Sequence, residues 1–263
     1  MRVTLGGAET GLHLTGDAGP RVLLSHCSLA HSGAWRGMIP HLGAVRAEAL
    51  DLPGHGETEI DPARRPQRQA ADALLAQMGE GPVHLVGHSF GGGAVLRAAL
   101  DRPAAVASLT LIEPMMFFLL PEDSPVAIEE AAATRRYIEA ERDGNAAVAA
   151  EEFMTLWGNG TPWAEVPQKL RDYAVARMPF VAASADDVAG RHAGQITLDE
   201  IAALDCPVTL IAGAESRPSA IAIVETIATR LSQRPHLVAG AGHMVPITHP
   251  GEVAAILRPL LSR

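Results

Sequence analysis

Short runs of β-branched residues and leucine alternate along the chain with longer stretches rich in alanine and leucine. The short runs end at glycine, histidine or proline, as buried strands do, and the longer stretches have the composition of helices. This alternation predicts an α/β fold with a parallel sheet and crossover helices. The predicted strands cover residues 22–25, 47–52, 83–87, 109–113, 208–213 and 236–239, after an entry hairpin at 2–6 and 11–16, and the predicted helices cover 66–78, 91–100, 218–231 and 252–260.

The alternation of predicted strands and helices stops between residues 114 and 203, where no strand-like run appears. Three segments there have helical character, at residues 127–142, 146–157 and 168–177. Prolines break regular structure where the chain would leave the sheet and where it would return, at Pro114, Pro121, Pro125 and Pro207. We therefore expect a core of residues 1–113 and 204–263, interrupted by a helical insertion of residues 114–203.

Composition narrows the possible partners and location. The 263 residues are 48% hydrophobic and 19% charged, as in a large globular domain. The net charge of −9 argues against nucleic acid and against an anionic membrane surface as partners. No run approaches the roughly 20 apolar residues of a membrane span, and the N-terminus does not resemble a signal peptide. With only two cysteines, no disulfide framework is expected and a cytoplasmic location is predicted.

The sharpest chemical signal is Gly87-His88-Ser89-Phe90-Gly91, between a predicted strand and a predicted helix. A Gly-x-Ser-x-Gly turn in this context is typical of a nucleophile elbow, in which a strained serine projects above the carboxyl edge of the sheet. Glycine on either side lets strand and helix approach without a Cβ clash. The adjoining helix N-terminus favours developing negative charge, so Ser89 is the candidate nucleophile.

A serine hydroxyl needs a base within hydrogen-bond reach, and histidine has the pKa suited to that task. His243 lies in a glycine-rich stretch at residues 239–244, after the last predicted strand. That position places it in a loop at the same edge of the sheet as Ser89. The order of nucleophile then base is the one found in elbow proteins. His84 and His88 are four residues apart but bracket a strand end rather than a helix turn, so no metal site is expected.

Several motifs together resemble the α/β-hydrolase fold family, namely residues 22–28, 33–35, 51–56, 87–91 and 242–243. The resemblance implies an eight-stranded, mostly parallel sheet flanked by helices, with the insertion after strand 6 acting as a helical cap. It also implies a triad of serine, acid and histidine, with an oxyanion hole made by the backbone N–H groups of Phe90 and Ser28. The sequence departs from the family at Cys27, which replaces a usual glycine.

The acid of this triad is not where most relatives carry it, because Ser216 occupies that position. A serine cannot stabilise an imidazolium, so the acid must come from elsewhere. Glu113 at the end of the sixth strand is the preferred candidate, since a subset of the fold carries the acid there. Glu215 is the alternative, and a triad without a carboxylate is a third. Asp205 precedes the seventh strand and lies about 20 Å below the site.

Aromatic residues concentrate in the insertion, which holds eight of the ten in the chain: Phe117, Phe118, Tyr137, Phe153, Trp157, Trp163, Tyr173 and Phe180. They predict an apolar roof over Ser89, although a small helical unit also needs large side chains to fill its own core. The expected substrate-binding residues are His26, Cys27, Met115, Met116, Phe117, Phe118, Trp157 and Met244.

The resulting hypothesis is a serine hydrolase that cleaves an ester, thioester or related small-molecule carbonyl substrate of apolar character through an acyl-enzyme at Ser89. No cofactor is implied. Two alternatives stay open: a C–C bond hydrolase acting on vinylogous diketones, and a ligand sensor that keeps the triad but turns over slowly.

Overall fold

The computed structural model describes residues 1–262 and contains eight strands in one sheet. In chain order these are β1 (Arg2–Leu5), β2 (Ala8–Thr15), β3 (Arg21–Ser25), β4 (Arg46–Leu50), β5 (Val83–His88), β6 (Val106–Ile112), β7 (Val208–Gly213) and β8 (His236–Val238). Their spatial order is β1-β2-β4-β3-β5-β6-β7-β8.

The first two strands form the predicted hairpin, closed by a turn in which Gly6 and Gly7 both have positive φ. Strand β2 continues antiparallel to β4, and every other pairing in the sheet is parallel. The prediction of a mostly parallel eight-stranded sheet is therefore confirmed. Parallel strands place their carboxyl ends at one edge, so the loops after β5, β6, β7 and β8 meet there.

Ten helices surround or extend from the sheet in the described residues. They are α1 (Pro66–Met78), α2 (Phe90–Asp101), α3 (Pro125–Arg142), α4 (Ala146–Trp157), α5 (Gln168–Val175), α6 (Met178–Ala189), α7 (Leu198–Ala202), α8 (Pro218–Arg230), α9 (Val245–Thr248) and α10 (Pro250–Leu261). None of these helices, within residues 1–262, combines the length and the apolar content needed to cross a bilayer.

The sheet is buried on both faces. Along β3, Leu23 belongs to one apolar cluster while Val22 and Leu24 belong to another, because successive side chains on a strand point to opposite sides. The first cluster joins the sheet to α1, α2 and α8, and the second joins it to α10. A parallel sheet usually has helices covering both of its faces.

The chain between β6 and β7 is helical, as expected for residues 114–203. It contains α3 to α7, in which α3 packs against both α4 and α6. Helices α3, α4 and α5 match the predicted segments closely. Helix α6 was not predicted, because Pro179, Ser184, Asp186 and Asp187 weaken its helical signal. We call residues 114–203 the insertion.

Candidate active site

Ser89 occupies a strained turn between β5 and α2. Its backbone angles are φ 57° and ψ −122°, a region that residues with a Cβ rarely adopt. The flanking glycines are required by space. A Cβ on Gly87 would lie 2.4 Å from the Gly91 carbonyl oxygen, and one on Gly91 would lie 2.4 Å from the His26 carbonyl oxygen. The turn therefore holds Ser89 at the carboxyl edge of the sheet, as the elbow motif predicts.

His243 follows β8 and faces Ser89 from the opposite loop. Its Nε2 lies 3.0 Å from Ser89 Oγ, and its Nδ1 lies 2.5 Å from Glu113 Oε2. With Nδ1–H donating to the carboxylate, Nε2 is free to accept the serine proton. The three side chains expected to act together thus form one continuous hydrogen-bond chain.

Glu113 directly follows β6 and is fully buried, with a positive φ of 44°. Its second carboxylate oxygen, Oε1, accepts from the Gly213 N–H at 2.7 Å and the Ser216 hydroxyl at 2.5 Å. Burial alone would raise the pKa of Glu113. The hydrogen bond and charge of His243, together with these two donors, outweigh burial and lower the pKa below its ordinary value.

The two alternatives for the acid occupy different environments. Glu113 contacts His243, whereas Glu215 is exposed on the turn after β7. Ser216, which stands where most relatives carry the acid, donates its hydroxyl to the carboxylate of Glu113. The sequence analysis does not predict this role, because a serine cannot replace the acid. The one sequence feature that indicates it is the position of Ser216, from which a side chain can reach the acid that bonds His243.

The loop of the expected oxyanion hole is braced by two buried histidines. His26 Nδ1 lies 2.7 Å from its neighbour's carbonyl oxygen at Cys27, and its Nε2 accepts from the Leu52 N–H at 2.9 Å. One nitrogen donates and the other accepts, so this ring is neutral. Burial lowers the pKa of His26 to about 4.

His55 braces the same loop at Leu29, also through both of its ring nitrogens. Its Nε2 accepts from the Leu29 N–H at 3.0 Å, and its Nδ1 lies 2.9 Å from the Pro53 carbonyl oxygen. Burial lowers the pKa of His55 well below its ordinary value. Leu29 has a positive φ of 60°, so the loop is held in a shape that a free chain would avoid. These contacts fix the position of the neighbouring Ser28 N–H.

The expected oxyanion donors lie at the ends of two different elements. The Phe90 N–H begins α2, and the Ser28 N–H follows the braced loop. Within residues 1–262, neither N–H donates to a protein acceptor. From the insertion, Phe180 packs edge-on against both Phe90 and His55, with ring centroids 5.0 and 4.5 Å apart. Helix α6 therefore covers this side of the site.

His88, next to the nucleophile, turns away from the cavity as expected. Its Nε2 donates to the His243 carbonyl oxygen at 2.8 Å, and its ring lies 4.9 Å from the His243 ring. Burial, followed by the nearby charge of His243, lowers the pKa of His88 to about 3, so it is a neutral brace. No sequence pattern predicts this contact, because it joins residues far apart in the chain.

An open pocket lies at Ser89 and encloses about 430 Å³, including space open to solvent; we call it the cavity. Most of its lining is apolar, and its polar side chains are all hydroxyls. The lining residues are Ser28, Ser89, Phe90, Met115, Phe117, Thr134, Tyr137, Ile138, Phe153, Trp157, Val181, Ser184, Ala185 and Val188. Tyr137 donates its hydroxyl to Thr134 at 3.2 Å, and burial raises the pKa of Tyr137 to about 12. The cavity thus presents no charged side chain.

Only part of the expected substrate-binding set lines this cavity. Met115, Phe117 and Trp157 do so. The intervening Met116 is fully buried in the main core, and Phe118 packs beside Gly190, because successive side chains of this segment point in different directions.

The three other expected binding residues also lie outside the lining. The expectation that His26 reaches the pocket is wrong, because both of its ring nitrogens are used by the backbone. Cys27 is buried, with Sγ 4.0 Å from Met244 Sδ, and burial raises the pKa of its thiol to about 12. Thr134 and Ser184 line the cavity but were missed, since isolated hydroxyls on a helix have no distinctive pattern. Tyr137 and Phe153, two of the aromatic residues expected above Ser89, also line it.

Comparison with known proteins identifies the family. Residues 22–256 match the sequence model of the Alpha/beta hydrolase family. Lipase LipV of Mycobacterium tuberculosis is 29% identical over 270 residues, covering 94% of this chain and 95% of the lipase. The pimeloyl-(acyl-carrier protein) methyl ester esterase of Neisseria meningitidis serogroup A is 30% identical over 248 residues, covering 92% of this chain and 77% of the esterase.

Solved structures have the same architecture. A thermophilic esterase from Thermogutta terrifontis superposes with a TM-score of 0.78 at 25% identity, covering 100% of this chain and 98% of the esterase. The 2-hydroxy-6-oxo-6-phenylhexa-2,4-dienoate hydrolase of a Rhodococcus species gives a TM-score of 0.79 at 20% identity, covering 100% of this chain and 98% of that protein. At this identity the similarity shows a shared fold only. The chain therefore belongs to the alpha/beta hydrolase family and is a hydrolase.

Proposed function

We propose that this hydrolase cleaves carboxylic esters through an acyl-enzyme on Ser89. His243 Nε2 takes the hydroxyl proton while Ser89 Oγ bonds to the ester carbonyl carbon, whose oxygen gains the negative charge. The N–H groups of Phe90 and Ser28 bind that oxygen. The imidazolium then protonates the departing alcohol. Water, deprotonated in turn by His243, attacks the acyl carbon and releases the acid with Ser89 regenerated.

One observation carries this proposal: the continuous hydrogen-bond chain from Ser89 Oγ through His243 to Glu113. In it, Glu113 holds the imidazole tautomer that leaves Nε2 unprotonated and balances the positive charge that forms when His243 accepts the proton. The lowered pKa of Glu113 keeps the carboxylate ionised while it does so.

The cavity supports an uncharged acyl group of small to medium size. Its apolar walls suit a chain of that kind, and its hydroxyls can bind a neutral polar group. The lipase and the methyl ester esterase among the relatives agree with an ester substrate. We also propose that the insertion acts as a cap, since it supplies most of the cavity wall.

The C–C hydrolase alternative receives less support. The Rhodococcus hydrolase acts, by its name, on a dienoate, which carries a carboxylate. Among the described residues that line the cavity, none is lysine or arginine. A carboxylate buried there without a cationic partner is costly. The apolar cavity therefore favours a neutral ester over an anionic diketone.

The test compares two esters of equal chain length, p-nitrophenyl pentanoate and the mono-p-nitrophenyl ester of glutarate. We expect steady turnover of the neutral ester, with kcat/KM at least about tenfold above that of the anionic ester. Ser89→Ala is the matched control and should abolish turnover. Full activity in that variant would contradict the mechanism, preference for the anionic ester would contradict the substrate class, and one acylation without turnover would indicate a sensor.

A further inference from the structure

A buried carboxylate of the insertion is anchored in the core beside the triad. Glu130 on α3 is only 2% exposed. Its Oε2 accepts from Arg217 Nε and Nη2 at 3.1 and 3.0 Å and from the Ser219 hydroxyl at 2.8 Å. Arg217 lies in the loop after β7, directly before α8. The ion pair therefore joins the insertion to the core loop that also supplies Ser216.

The same arginine contacts the base through one aromatic ring. The Arg217 guanidinium lies over the Trp157 ring, 5.3 Å from its centroid. Trp157, which is buried at the end of α4, packs edge-on against His243 with ring centroids 4.9 Å apart. A guanidinium on an aromatic face is attractive, so Arg217 holds Trp157 in place.

Fixing the plane of the imidazole matters for the proposed chemistry. The bond to Cβ and the hydrogen bonds of His243 to Ser89 and Glu113 locate the ring, but hydrogen bonds tolerate bending, so the ring can still tilt. Side-chain packing narrows that tilt, and Trp157 and His88 are aromatic neighbours that contribute to it. A small misplacement of a reacting group can lower a rate by about a hundredfold.

We propose that Arg217 is a positioning residue: held by Glu130, it presses Trp157 against His243 and fixes the orientation of the base. This inference rests on the proposed function and extends it. It assigns to the ion pair a role in the chemical step, in addition to its role in holding the insertion on the core.

A second ion pair in the molecule provides a matched control. Asp187 on α6, also 2% exposed, accepts from Arg65 Nε at 3.0 Å and from the Gln67 N–H at 2.9 Å. It too joins the insertion to an arginine directly before a core helix, in this case α1. Trp157 takes no part in this second pair. Asp187→Asn therefore weakens an equivalent anchor without touching the proposed positioning contact.

The experiment measures kcat and KM for p-nitrophenyl butyrate, the rate of fluorophosphonate labelling and the melting temperature. Arg217→Met should lower kcat and the labelling rate together by about tenfold to a hundredfold, with little change in KM. The double variant Glu130→Gln with Arg217→Met removes the unpaired buried charge, so it should regain stability but not kcat. Arg217→Lys keeps the charge but loses the planar stack, and should lower kcat in a stable protein.

Two results would overturn the proposal. One is wild-type kcat and labelling rate in both Arg217→Lys and the double variant. The other is an equal loss of kcat in Asp187→Asn, which would mean that anchoring the insertion anywhere suffices. Neither result bears on the proposed function itself, which is tested separately by Ser89→Ala and by the comparison of the two esters.

Discussion

Ser89 lies between two regions of different charge: a buried carboxylate network around Glu113, the acid side, and a loop braced by neutral buried histidines, the oxyanion side. On the acid side, the ionised Glu113 receives hydrogen bonds from His243, Ser216 and the Gly213 N–H. On the oxyanion side, His26 and His55 are buried imidazoles whose nitrogens are all satisfied by the backbone, and burial lowers the pKa of both. His26 also has the Asp51 carboxylate 4.0 Å from its Nε2, but burial outweighs that attraction and the ring stays neutral. His243, in contrast, is hydrogen-bonded directly to the Glu113 carboxylate.

The largest expected effect comes from removing the charge on the acid side. Glu113→Gln should lower kcat by about 10³-fold, because a neutral amide neither fixes the tautomer nor stabilises the imidazolium. Glu215→Gln is the matched control and should retain nearly full kcat, since that side chain is exposed. Steady-state kinetics on p-nitrophenyl butyrate checks both. The reverse ranking would reassign the acid.

A smaller loss is expected when the oxyanion side loses a brace. His55→Leu removes the acceptor for the Leu29 N–H, so the loop that positions the Ser28 N–H should relax. We expect kcat to fall about tenfold to a hundredfold. The upper value corresponds to the complete loss of one oxyanion donor. His84→Leu is the control, because His84 is also buried but bonds Ser108 instead. Equal losses in both variants would argue for general destabilisation.

Removing Ser216 tests how finely the acid side is tuned. Ser216→Ala deletes one donor to the Glu113 carboxylate, leaving its negative charge less compensated and the imidazolium of His243 more stabilised. The acid limb of the kcat/KM profile should therefore move to higher pH, with a severalfold loss of activity at neutral pH. Ser216→Thr keeps the hydroxyl and should restore the profile. An unshifted limb in Ser216→Ala would show that this donor does not tune the pair.

The smallest effect at neutral pH concerns stability. His26, His55 and His88 have lowered pKa values in the folded protein, so below about pH 6.5 the unfolded chain binds protons that the folded chain does not. The free energy of unfolding should then fall with decreasing pH by up to about 1.4 kcal/mol per pH unit for each histidine. Glu113 acts in the same direction only at more acidic pH.

Urea unfolding at pH 7 and pH 5 measures this dependence. His26→Gln should lower by one the number of protons taken up on unfolding, so the free energy of unfolding should depend less steeply on pH. His13→Gln, at an exposed position, should leave that dependence unchanged. Equal stability at the two pH values would mean that the buried imidazoles accept protons in the folded state.

The sheet and the positions of Ser89 and His243 could be predicted from the sequence, because each rests on a local pattern. The strand, the turn glycines and the helix around Ser89 lie within a few residues of one another, and His243 follows the last strand in a glycine-rich stretch. Parallel topology then brings both to one edge of the sheet. No long-range information was needed beyond the order of the elements.

The choice between the two candidate carboxylates could not be made from local sequence patterns, because it depends on contacts between separate loops. Glu113 and Glu215 both end near the same edge, and the sequence alone left the choice open. The Gly213 N–H and the Ser216 hydroxyl make the difference, because they orient the Glu113 carboxylate toward His243. Such contacts between separate loops leave no periodic signal.

The cavity wall was the least predictable part of the site. Adjacent residues diverge there, so Met115 and Phe117 line the cavity while Met116 and Phe118 do not. Tyr137 is one of the aromatic residues expected above Ser89, but the sequence does not distinguish it from those that lie elsewhere in the insertion. Its place in the lining depends on how α3 packs against α4 and α6, and the sequence pattern does not determine that packing.

The most direct test of the central claim is the site of covalent labelling. The protein is treated with a fluorophosphonate, and the modified peptide is located by mass spectrometry. One adduct per chain is expected on Ser89, formed far more slowly in His243→Ala and absent in Ser89→Ala. An adduct on another residue, or labelling that persists in Ser89→Ala, would contradict the claim.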